Sequence, residues 1–289
     1  MSRRKGIMLA EPFDERKFSQ LNETVFIQPK LNGERCRVQW FHDEPVLLSS
    51  EENEIPFLDH IKRKLKEIYL DHGPVQFDGE LYVHGWSRQK IHSVASRRVN
   101  KHPDNDALEY HVFDIISDEY QIRRTQQLFT YYYYTNHLCS PIHFVDTKAV
   151  YSKDETNEWL HLTNQWIEEG YEGSVIRDPY ATYRPKRVKT LLKFKPTERD
   201  TYTITGVSEA ISQEGVPKKM IGAFYVVDRE GRAFSVSAGK LNHEERKELW
   251  TYRYLLPNKL LEVKHAITRT DEGIPDCAVA LKVQGIKLS

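Results

Sequence analysis

The sequence has no excess of charge of either sign and very little cysteine. Its 42 lysines and arginines cancel its 42 aspartates and glutamates, so no overall field attracts the chain to polyanions, and such binding has to come from local clusters. The three cysteines, Cys36, Cys139 and Cys277, are too few and too scattered for a disulfide framework or a zinc site. This cysteine usage is typical of a reducing compartment.

Long apolar runs are absent as well. No segment is long enough to span a bilayer. The start of the chain, Met1–Gly6, is basic, but the apolar segment Ile7–Ala10 that follows is too short for a secretory signal. We therefore expect a cytoplasmic protein that makes no membrane contact.

The 289 residues are enough for one large domain or two of moderate size. Pro196–Asp200 is a polar break, and the pattern of apolar residues changes after it. We predict a domain boundary at this break, with one domain at residues 1–198 and the second at 199–289.

Residues 26–38, with the sequence FIQPKLNGERCRV, place Lys30 beside a predicted tight turn. Asn32-Gly33 between strand-forming residues is typical of a β-hairpin, because both residues tolerate a positive φ angle. On the predicted return strand apolar and basic residues alternate, so one face carries Arg35. Lys30 and Arg35 can then converge on one pocket. The alternative is a surface hairpin with a solvated lysine.

Carboxylates lie in the next stretches of strand-forming residues. Val75–Val83 has two β-rich flanks around Asp78-Gly79, which predicts a bend or hairpin, and Glu80 follows directly. Tyr110–Ile116 is a short apolar run of the kind that forms a buried strand.

A predicted helix precedes the last set of candidate residues. Ser152–Glu155 has the pattern of a capping box, and Gly170 is placed to end the helix at its C′ position. Glu172 comes immediately after. In the strand predicted further on, Lys193 and Lys195 alternate with apolar residues, so these two lysines share one face.

The C-terminal region predicts a small barrel. Three strands, a helix that begins at an Asn242–Glu245 cap, and two more strands follow one another, which is the order of an oligonucleotide-binding (OB) fold. The predicted strands are Thr201–Val207, Gly222–Asp228, Ala233–Ala238, Lys259–Ile267 and Ala278–Val283.

Together these residues meet the requirements for attack by a lysine on a nucleotide phosphate. A lysine nucleophile must lose its proton near neutral pH, which neighbouring cations promote, and Lys193 and Lys195 are available for this. Phosphoryl transfer depends mainly on alignment and charge stabilisation, and it usually uses Mg²⁺ held by a few carboxylates and substrate oxygens. The carboxylates available, and the aromatic ring available for a base, are Asp78, Glu80, Glu172 and Phe113.

The ordered set resembles the covalent nucleotidyltransferases, specifically compact, phage-like ATP-dependent DNA ligases, over nearly the whole chain. Five motifs occur in family order. They are Lys30-Leu31-Asn32-Gly33 with Arg35, Phe77-Asp78-Gly79-Glu80, His111-Val112-Phe113-Asp114, Glu172-Gly173-Ser174-Val175-Ile176-Arg177 and Leu192-Lys193-Phe194-Lys195.

The resemblance implies an α+β fold. Two antiparallel sheets would form an ATP-grasp-like nucleotidyltransferase core at residues 1–198, and an OB-fold barrel would follow at 199–289. It also implies a monomer that acts on nicked duplex DNA, with RNA in one strand left open, in the cytoplasm of a host cell if the source is a virus.

The resemblance further implies roles for individual residues. Lys30 would carry AMP from ATP through a phosphoramide bond, and Lys193 and Lys195 would contact the α-phosphate. Arg35 and Glu80 would hold the ribose. The remaining roles are adenine stacking by Phe113, recognition of the adenine edge by Gln28, and binding of Mg²⁺ or Mn²⁺ by Glu172 with Asp78 close by.

Three features depart from the family pattern. Asn32 stands where most of these ligases have aspartate. RNA-joining relatives vary more at this position, so RNA remains an alternative substrate. Ser49-Ser50-Glu51 lies where Ser-Arg is common, so sensing of the 5′-phosphate is expected to differ. The C-terminal basic motif is not clear, and Lys282, Lys287 and Arg269–Asp271 are the candidates.

Two other functions compete with a DNA ligase. The first is an RNA ligase or an RNA-capping nucleotidyltransferase, although the barrel-like tail favours DNA ligase over many RNA ligases and capping enzymes use GTP. The second is a non-catalytic nucleic-acid-binding protein with a decayed nucleotide pocket. The intact Lys30, Glu80, Glu172, Lys193 and Lys195 argue against decay.

Overall fold

A computed structural model describes residues 4–135, 141–151, 157–267, 269–270 and 272–286. The chain divides into two compact units, residues 1–195 and residues 196–289. None of the described helices is long and apolar enough to cross a membrane. The predicted capping box at Ser152–Glu155 lies outside the described residues, as do Asp271 and Lys287.

In the residues that the structure describes, the first unit contains two five-stranded sheets and five α-helices. One sheet has the order β1-β10-β9-β2-β8, and the other has the order β4-β3-β5-β6-β7. The strands of the first sheet are β1 (Leu9–Pro12), β2 (Thr24–Pro29), β8 (Lys148–Tyr151), β9 (Ser174–Arg177) and β10 (Arg187–Phe194). Those of the second are β3 (Glu34–Phe41), β4 (Glu44–Ser49), β5 (Phe77–Tyr82), β6 (Glu109–Ile115) and β7 (Ile142–Phe144).

The helices of this unit cover the sheets with apolar faces. The helix α2 shows the pattern plainly, since Ile61, Leu65 and Ile68 recur at helical spacing and are buried in the core of the second sheet. On α5, Trp159 and Trp166 pack into the core of the first sheet, and Gly170 follows its end with a φ of 96°. The helices are α1 (Glu15–Phe18), α2 (Asp59–His72), α3 (Arg88–Ala95), α4 (Gln121–Thr135) and α5 (Glu158–Glu168), with a short 3-10 helix at Asn105–Ala107.

Both sheets are mixed, so the prediction of two antiparallel sheets is wrong. In the first sheet β1 pairs with β10 in parallel, and in the second β6 pairs with β7 in parallel. The other pairings are antiparallel. The parallel pairs lie at the sheet edges, where each joins strands that are distant in sequence.

The predicted hairpin at Asn32-Gly33 does not form. Strand β2 belongs to the first sheet and β3 to the second, so the segment 30–33 passes from one sheet to the other. Neither Asn32 nor Gly33 has a positive φ. The hairpin of this region lies one strand later, between β3 and β4, where His42 and Asp43 have φ angles of 47° and 64°.

The predicted bend at Asp78-Gly79 is also wrong. Both residues lie within the continuous strand β5, at a register irregularity in its pairing with β6. A Cβ atom on Gly79 would lie 2.4 Å from the carbonyl oxygen of His111 on β6. Glycine is therefore required here by the close approach of a neighbouring strand, and the Asp-Gly pair carries no turn.

The described part of the second unit contains five strands, one α-helix and one short 3-10 helix. The strands are hydrogen-bonded in the closed order β11-β12-β13-β15-β14, in which β14 also pairs with β11. The predicted polar break at 196–200 is mostly strand, because Thr197–Asp200 pair with β14 as the start of β11. The elements are β11 (Thr197–Ile211), β12 (Pro217–Val227), β13 (Ala233–Ser237), α6 (His243–Thr251), a 3-10 helix (Arg253–Leu255), β14 (Leu260–Ala266) and β15 (Val279–Val283).

The predicted cap of the helix in the second unit is confirmed. The side chain of Asn242 accepts a hydrogen bond from the backbone of Glu245, and the Glu245 carboxylate accepts one from the Asn242 backbone in return. Leu249 on α6 packs into the apolar interior of the barrel with residues from its strands.

Candidate active site

Lys30 lies at the start of the crossing between the two sheets of the first unit. It follows Pro29, the last residue of β2, and precedes β3. A Cβ atom on Gly33 would lie 2.1 Å from the carbonyl oxygen of Leu81, so only glycine lets the crossing pass this close to β5. The lysine is therefore fixed between two sheets and is not carried on a solvated turn.

Glu172 is held opposite Lys30 by the backbone. The amide of Lys30 donates to the carbonyl of Gly173 at 2.9 Å, and the amide of Glu172 donates to the carbonyl of Lys30 at 3.0 Å. Gly173 has a φ of 141°, and a Cβ atom there would lie 2.2 Å from the carbonyl oxygen of Phe194. Because β2 and β10 both pair with β9, their ends bring residues 30 and 195 beside the segment 172–173.

The side chains of these residues form a linked set of charges. The Glu172 carboxylate makes ion pairs with the ammonium groups of both Lys30 and Lys195, one through each oxygen. Only 4% of the Glu172 side chain is exposed. Burial opposes its ionisation, but the two lysines outweigh burial and lower the pKa of Glu172 below its usual value.

Lys193 lies on β10, with Val175 of β9 as its partner. Its side chain is half-buried. Burial lowers the pKa of Lys193, and the nearby positive charges of Lys195 and Lys30 lower it further. Two lysines contact the Glu172 carboxylate, and Lys193 is near enough to both for their charges to interact. This local excess of positive charge is suited to an anion such as a phosphate.

Glu80 supports the crossing segment from β5. Its carboxylate accepts a hydrogen bond from the amide of Gly33 at 2.7 Å. Burial raises the pKa of Glu80, although the charge of Lys30 acts in the opposite direction. In the ladder between β3 and β5, Glu80 is paired with Arg35.

Arg35 is oriented by Asp78, which has no exposed surface. The Nε of Arg35 donates to Asp78 Oδ1 at 2.7 Å, and the guanidinium makes a second bond to Oδ2. The hydroxyl of Tyr183 also donates to Asp78 Oδ2, at 2.7 Å, and the ring of Phe113 lies 4.5 Å from the guanidinium carbon of Arg35. Both oxygens of Asp78 are thereby engaged.

Gln28 lies in a second buried network. Its amide nitrogen donates to the carbonyl of Phe113 at 3.1 Å and to the hydroxyl of Thr147 at 2.9 Å, and its amide oxygen accepts from Arg177 Nε at 2.7 Å. Arg177 also donates to Asp114 at 2.7 Å. This network fixes the backbone on which Phe113 is carried.

The structure brings most of the predicted residues together. Lys30, Lys195 and Glu172 are in direct contact, Glu80 supports the crossing, and Arg35 covers Phe113. The surroundings of two further residues bear on their predicted roles. Gln28 is 2% exposed with both ends of its amide engaged, so it would have to break that network to present its amide to an adenine edge. Asp78 is engaged by Arg35 and Tyr183, as Glu172 is by two lysines, and the predicted metal roles of both carboxylates stay predictions.

Sequence reasoning missed the buried charges behind the site. Asp114 has no exposed surface and accepts bonds from Arg124 Nε at 2.8 Å and from Arg177. Tyr183, which orients Asp78, was also missed. Asp114 and Arg177 could have been noticed because each is a charged residue within or at the end of an apolar strand. A charge buried in such a strand is normally paired, so the pattern predicts a buried ion pair.

Comparison with known proteins shows the family to which the chain belongs. The family model described as the ATP dependent DNA ligase domain matches residues 7–195. The chain belongs to this family. It is 30% identical over 266 residues to a DNA ligase of African swine fever virus, isolate Warthog/Namibia, a match that covers 86% of this chain and 61% of the viral protein. The chain thus spans about three fifths of the length of the curated relatives it matches.

Solved structures share the fold of both units. A structure named Pmar-Lig superposes with a TM-score of 0.83 at 20% identity and covers 97% of this chain and 68% of its own. A structure from a study of Lig E DNA ligases, described as binding DNA with a minimal scaffold, has a TM-score of 0.74 at 18% identity and covers 96% of this chain and 99% of its own. At these identities the likeness is one of fold.

Proposed function

We propose that the chain is an ATP-dependent polynucleotide ligase that carries AMP on Lys30 and seals nicks between a 5′-phosphate and a 3′-hydroxyl in duplex DNA. The observation that supports this most strongly is the contact of Lys30 and Lys195 with Glu172 at the ends of adjacent strands. Membership of the ATP-dependent DNA ligase family supports the choice of nucleotide and of nucleic acid.

In the first step, Lys30 Nζ attacks the α-phosphorus of ATP. A nitrogen–phosphorus bond forms, the bond from the α-phosphorus to the β-phosphate oxygen breaks, and pyrophosphate leaves. Lys193 and Lys195 would stabilise the charge that develops on the phosphate oxygens, since such stabilisation supplies most of the catalysis in phosphoryl transfer. AMP then passes to the 5′-phosphate, which frees Lys30, and the 3′-hydroxyl displaces AMP as the new phosphodiester bond forms.

Glu172 has two roles in this proposal. In the structure its carboxylate holds the Lys30 ammonium in an ion pair. Its oxygens are also suited to Mg²⁺ or Mn²⁺, because these ions are bound by one or two carboxylates together with substrate phosphates. Glu172 would thus be the residue that holds the ion, and Lys30 would have to leave its ion pair with Glu172 to attack the phosphate. When bound, the ion supplies positive charge for the leaving pyrophosphate.

Arg35, Glu80 and Phe113 would form the nucleoside pocket. Arg35 and Glu80 are adjacent across two strands and are placed to contact the ribose hydroxyls. Phe113 would stack on the adenine. Phe113 is only 9% exposed and Arg35 lies against its ring, so Arg35 would have to move aside for the base to stack there. We assign Asp78 and Gln28 as positioning residues, one for Arg35 and the other for the Phe113 strand.

We further propose that residues 1–198 form the adenylation domain and that residues 199–289 form an OB-fold domain that holds duplex DNA. The closed order of five strands, with a helix between the third and fourth, supports the second assignment. The monomeric state stays a prediction. Asn32 stands where most ligases of this family have aspartate, and the acceptance of RNA strands as substrates stays a prediction.

One experiment tests the function. The protein is incubated with each α-labelled nucleoside triphosphate and Mg²⁺, and the isolated adduct is offered nicked duplexes in every DNA and RNA strand combination. Labelling by ATP alone, followed by sealing of a DNA nick, is expected. Labelling by GTP would favour a capping enzyme, sealing of RNA alone would favour an RNA ligase, and no labelling would support a non-catalytic binding protein.

A further inference from the structure

A second cluster of metal-binding side chains lies outside the proposed nucleotide pocket. Glu109 and His111 are two residues apart on β6, so their side chains emerge on the same face. His143 on β7 is the register partner of His111 in the parallel pair. The period of the strand and the register of the pair therefore bring one carboxylate and two imidazoles together at this edge of the sheet.

The geometry of these three groups is close to that of a metal site. One ligand atom from each residue lies within 4.8 Å of the other two. Glu109 Oε2 is 2.9 Å from His111 Nε2, and Glu109 Oε1 is 3.6 Å from His143 Nε2. Ligand atoms around a tetrahedral zinc ion are about 3.4 Å apart when the bonds are about 2.1 Å. Small side-chain rotations would close the site.

The two imidazoles are stacked, with ring centroids 4.8 Å apart and an angle of 24° between the planes. Imidazole binds a metal ion through a ring nitrogen, whose lone pair lies in the plane of the ring. Both rings place Nε2 near the Glu109 carboxylate, so an ion at this shared edge could be reached by both. The ring of Tyr82 packs edge-on against His111 at 5.2 Å and restrains its orientation.

We propose that Glu109, His111 and His143 bind a zinc ion. Two imidazoles and one carboxylate match the preference of Zn²⁺ and leave a fourth position for water, whereas Mg²⁺ prefers oxygen ligands alone. The ion would tie the three-residue edge strand β7 to β6, the strand that also carries Phe113. The site does not depend on the proposed ligase function.

Another group of possible metal ligands, in the C-terminal unit, is a weaker candidate. Glu198, Asp200 and His265 of the other unit also lie within reach of one another. There, however, the guanidinium of Arg269 lies 3.7 Å from Glu198 and 3.8 Å from Asp200, so a protein cation already occupies the acidic side of the cluster. This difference makes the cluster on β6 and β7 the one to test.

The test is a calorimetric Zn²⁺ titration of the untagged, metal-free full-length protein in excess Mg²⁺, with Co²⁺ absorption as a second measurement. One equivalent of Zn²⁺ is expected to bind and to displace Co²⁺. His143→Ala, at a side chain 44% exposed, should keep its fold and weaken Zn²⁺ binding by about tenfold or more. His161→Ala, at an exposed helix position, is the matched control and should bind as the wild type does.

Three results would overturn the proposal. One is Zn²⁺ binding by His143→Ala and Glu109→Gln with the affinity of the wild type. The second is a site that disappears in Asp200→Asn, which would move the ion to the other cluster. Failure of the wild type to bind Zn²⁺ would likewise reject the site. None of these results bears on adenylation by Lys30, so the two proposals fail separately.

Discussion

The Glu172 carboxylate forms an ion pair with the Lys30 ammonium, and the Glu172 amide donates to the Lys30 carbonyl at 3.0 Å. The nucleophile proposed here and its acidic partner are thus joined twice, through backbone and side chain. The backbone contact follows from strand pairing and fixes their separation. In the proposed mechanism, this ion pair breaks before the Lys30 amine attacks ATP.

Lys193→Met is expected to slow transfer of labelled AMP from ATP to the protein. Loss of one charge that stabilises the transition state costs about 10²–10³ in rate. Rapid-quench measurement of adduct formation checks this. Lys189→Met, at an exposed position on the same strand, is the control and should form the adduct at the normal rate. A normal rate in Lys193→Met would remove Lys193 from the phosphate site.

The same substitution has a thermal signature. Because burial and nearby lysines lower the pKa of Lys193, its charged form is disfavoured in the folded state, and this cost is largest below the lowered pKa. As the pH rises from the lowered pKa towards the ordinary lysine value, Lys193 loses its proton in the folded state and this cost disappears. The contribution of Lys193 to the free energy of unfolding of the wild type should therefore become more favourable over that pH range. Lys193→Met should therefore have a melting temperature equal to or above that of the wild type at neutral pH.

Asp78→Asn and Glu172→Gln should separate positioning from metal binding. If Asp78 only orients Arg35, its replacement should raise the KM for ATP and leave the Mg²⁺ concentration needed for half-maximal adenylation unchanged. Tyr183→Phe should have a smaller effect of the same kind. Glu172→Gln should raise the Mg²⁺ requirement. An equal increase in the Mg²⁺ requirement of Asp78→Asn and Glu172→Gln would support Asp78 as a metal ligand.

Gly33→Ala should disrupt the crossing that carries Lys30. The added Cβ would lie 2.1 Å from the carbonyl oxygen of Leu81, and backbone cannot yield as a flexible side chain can. We expect a loss of more than about 1 kcal/mol in the free energy of unfolding and loss of adduct formation. Gly206→Ala is the control, since the nearest atom to its Cβ is 3.7 Å away. Chemical denaturation compares the two, and equal stability would contradict the steric account.

Asp114→Asn should lower the free energy of unfolding by about 3–5 kcal/mol, because it leaves two buried arginines without their charge partner. Burial opposes ionisation of Asp114, but Arg177 and Arg124 lower its pKa below the usual value. The wild type therefore has this stabilisation above about pH 3.9, the ordinary aspartate pKa, and loses it as the pH falls through the lowered pKa.

Urea unfolding of Asp114→Asn at several pH values checks this prediction. The acid-dependent part of the stability should be smaller in the variant than in the wild type. Asp146→Asn, which removes an exposed pair with Lys148, should change stability by less than about 1 kcal/mol and is the matched control. Identical acid profiles for Asp114→Asn and the wild type would contradict the role of the buried network.

Periodicity predicted the elements well but did not predict which sheet each strand joins. The helix that ends before Gly170 and the strand around Phe113 both follow from local sequence patterns. Asn32-Gly33 and Asp78-Gly79 were predicted as turns because local rules assign glycine to turns. In the structure each glycine is needed for a close approach to another strand, and that approach depends on tertiary pairing.

The site was predictable to the extent that its residues occur in motifs. Lys30, Glu172 and Lys195 could be grouped through the family resemblance, and strand adjacency explains why they meet. The partners of Asp78 and Gln28 could not be read from the sequence. Tyr183 and Arg177 reach them from distant segments, and no local pattern encodes a hydrogen bond across 105 or 149 residues.

The most direct test of the central claim is the location of the AMP adduct. The protein is incubated with ATP and Mg²⁺, digested and analysed by mass spectrometry, alongside Lys30→Arg and the surface control Lys148→Arg. AMP should be found on the peptide that contains Lys30 in the wild type and in Lys148→Arg, and it should be absent from Lys30→Arg. Adduct retained by Lys30→Arg, or mapped to another lysine, would contradict the account.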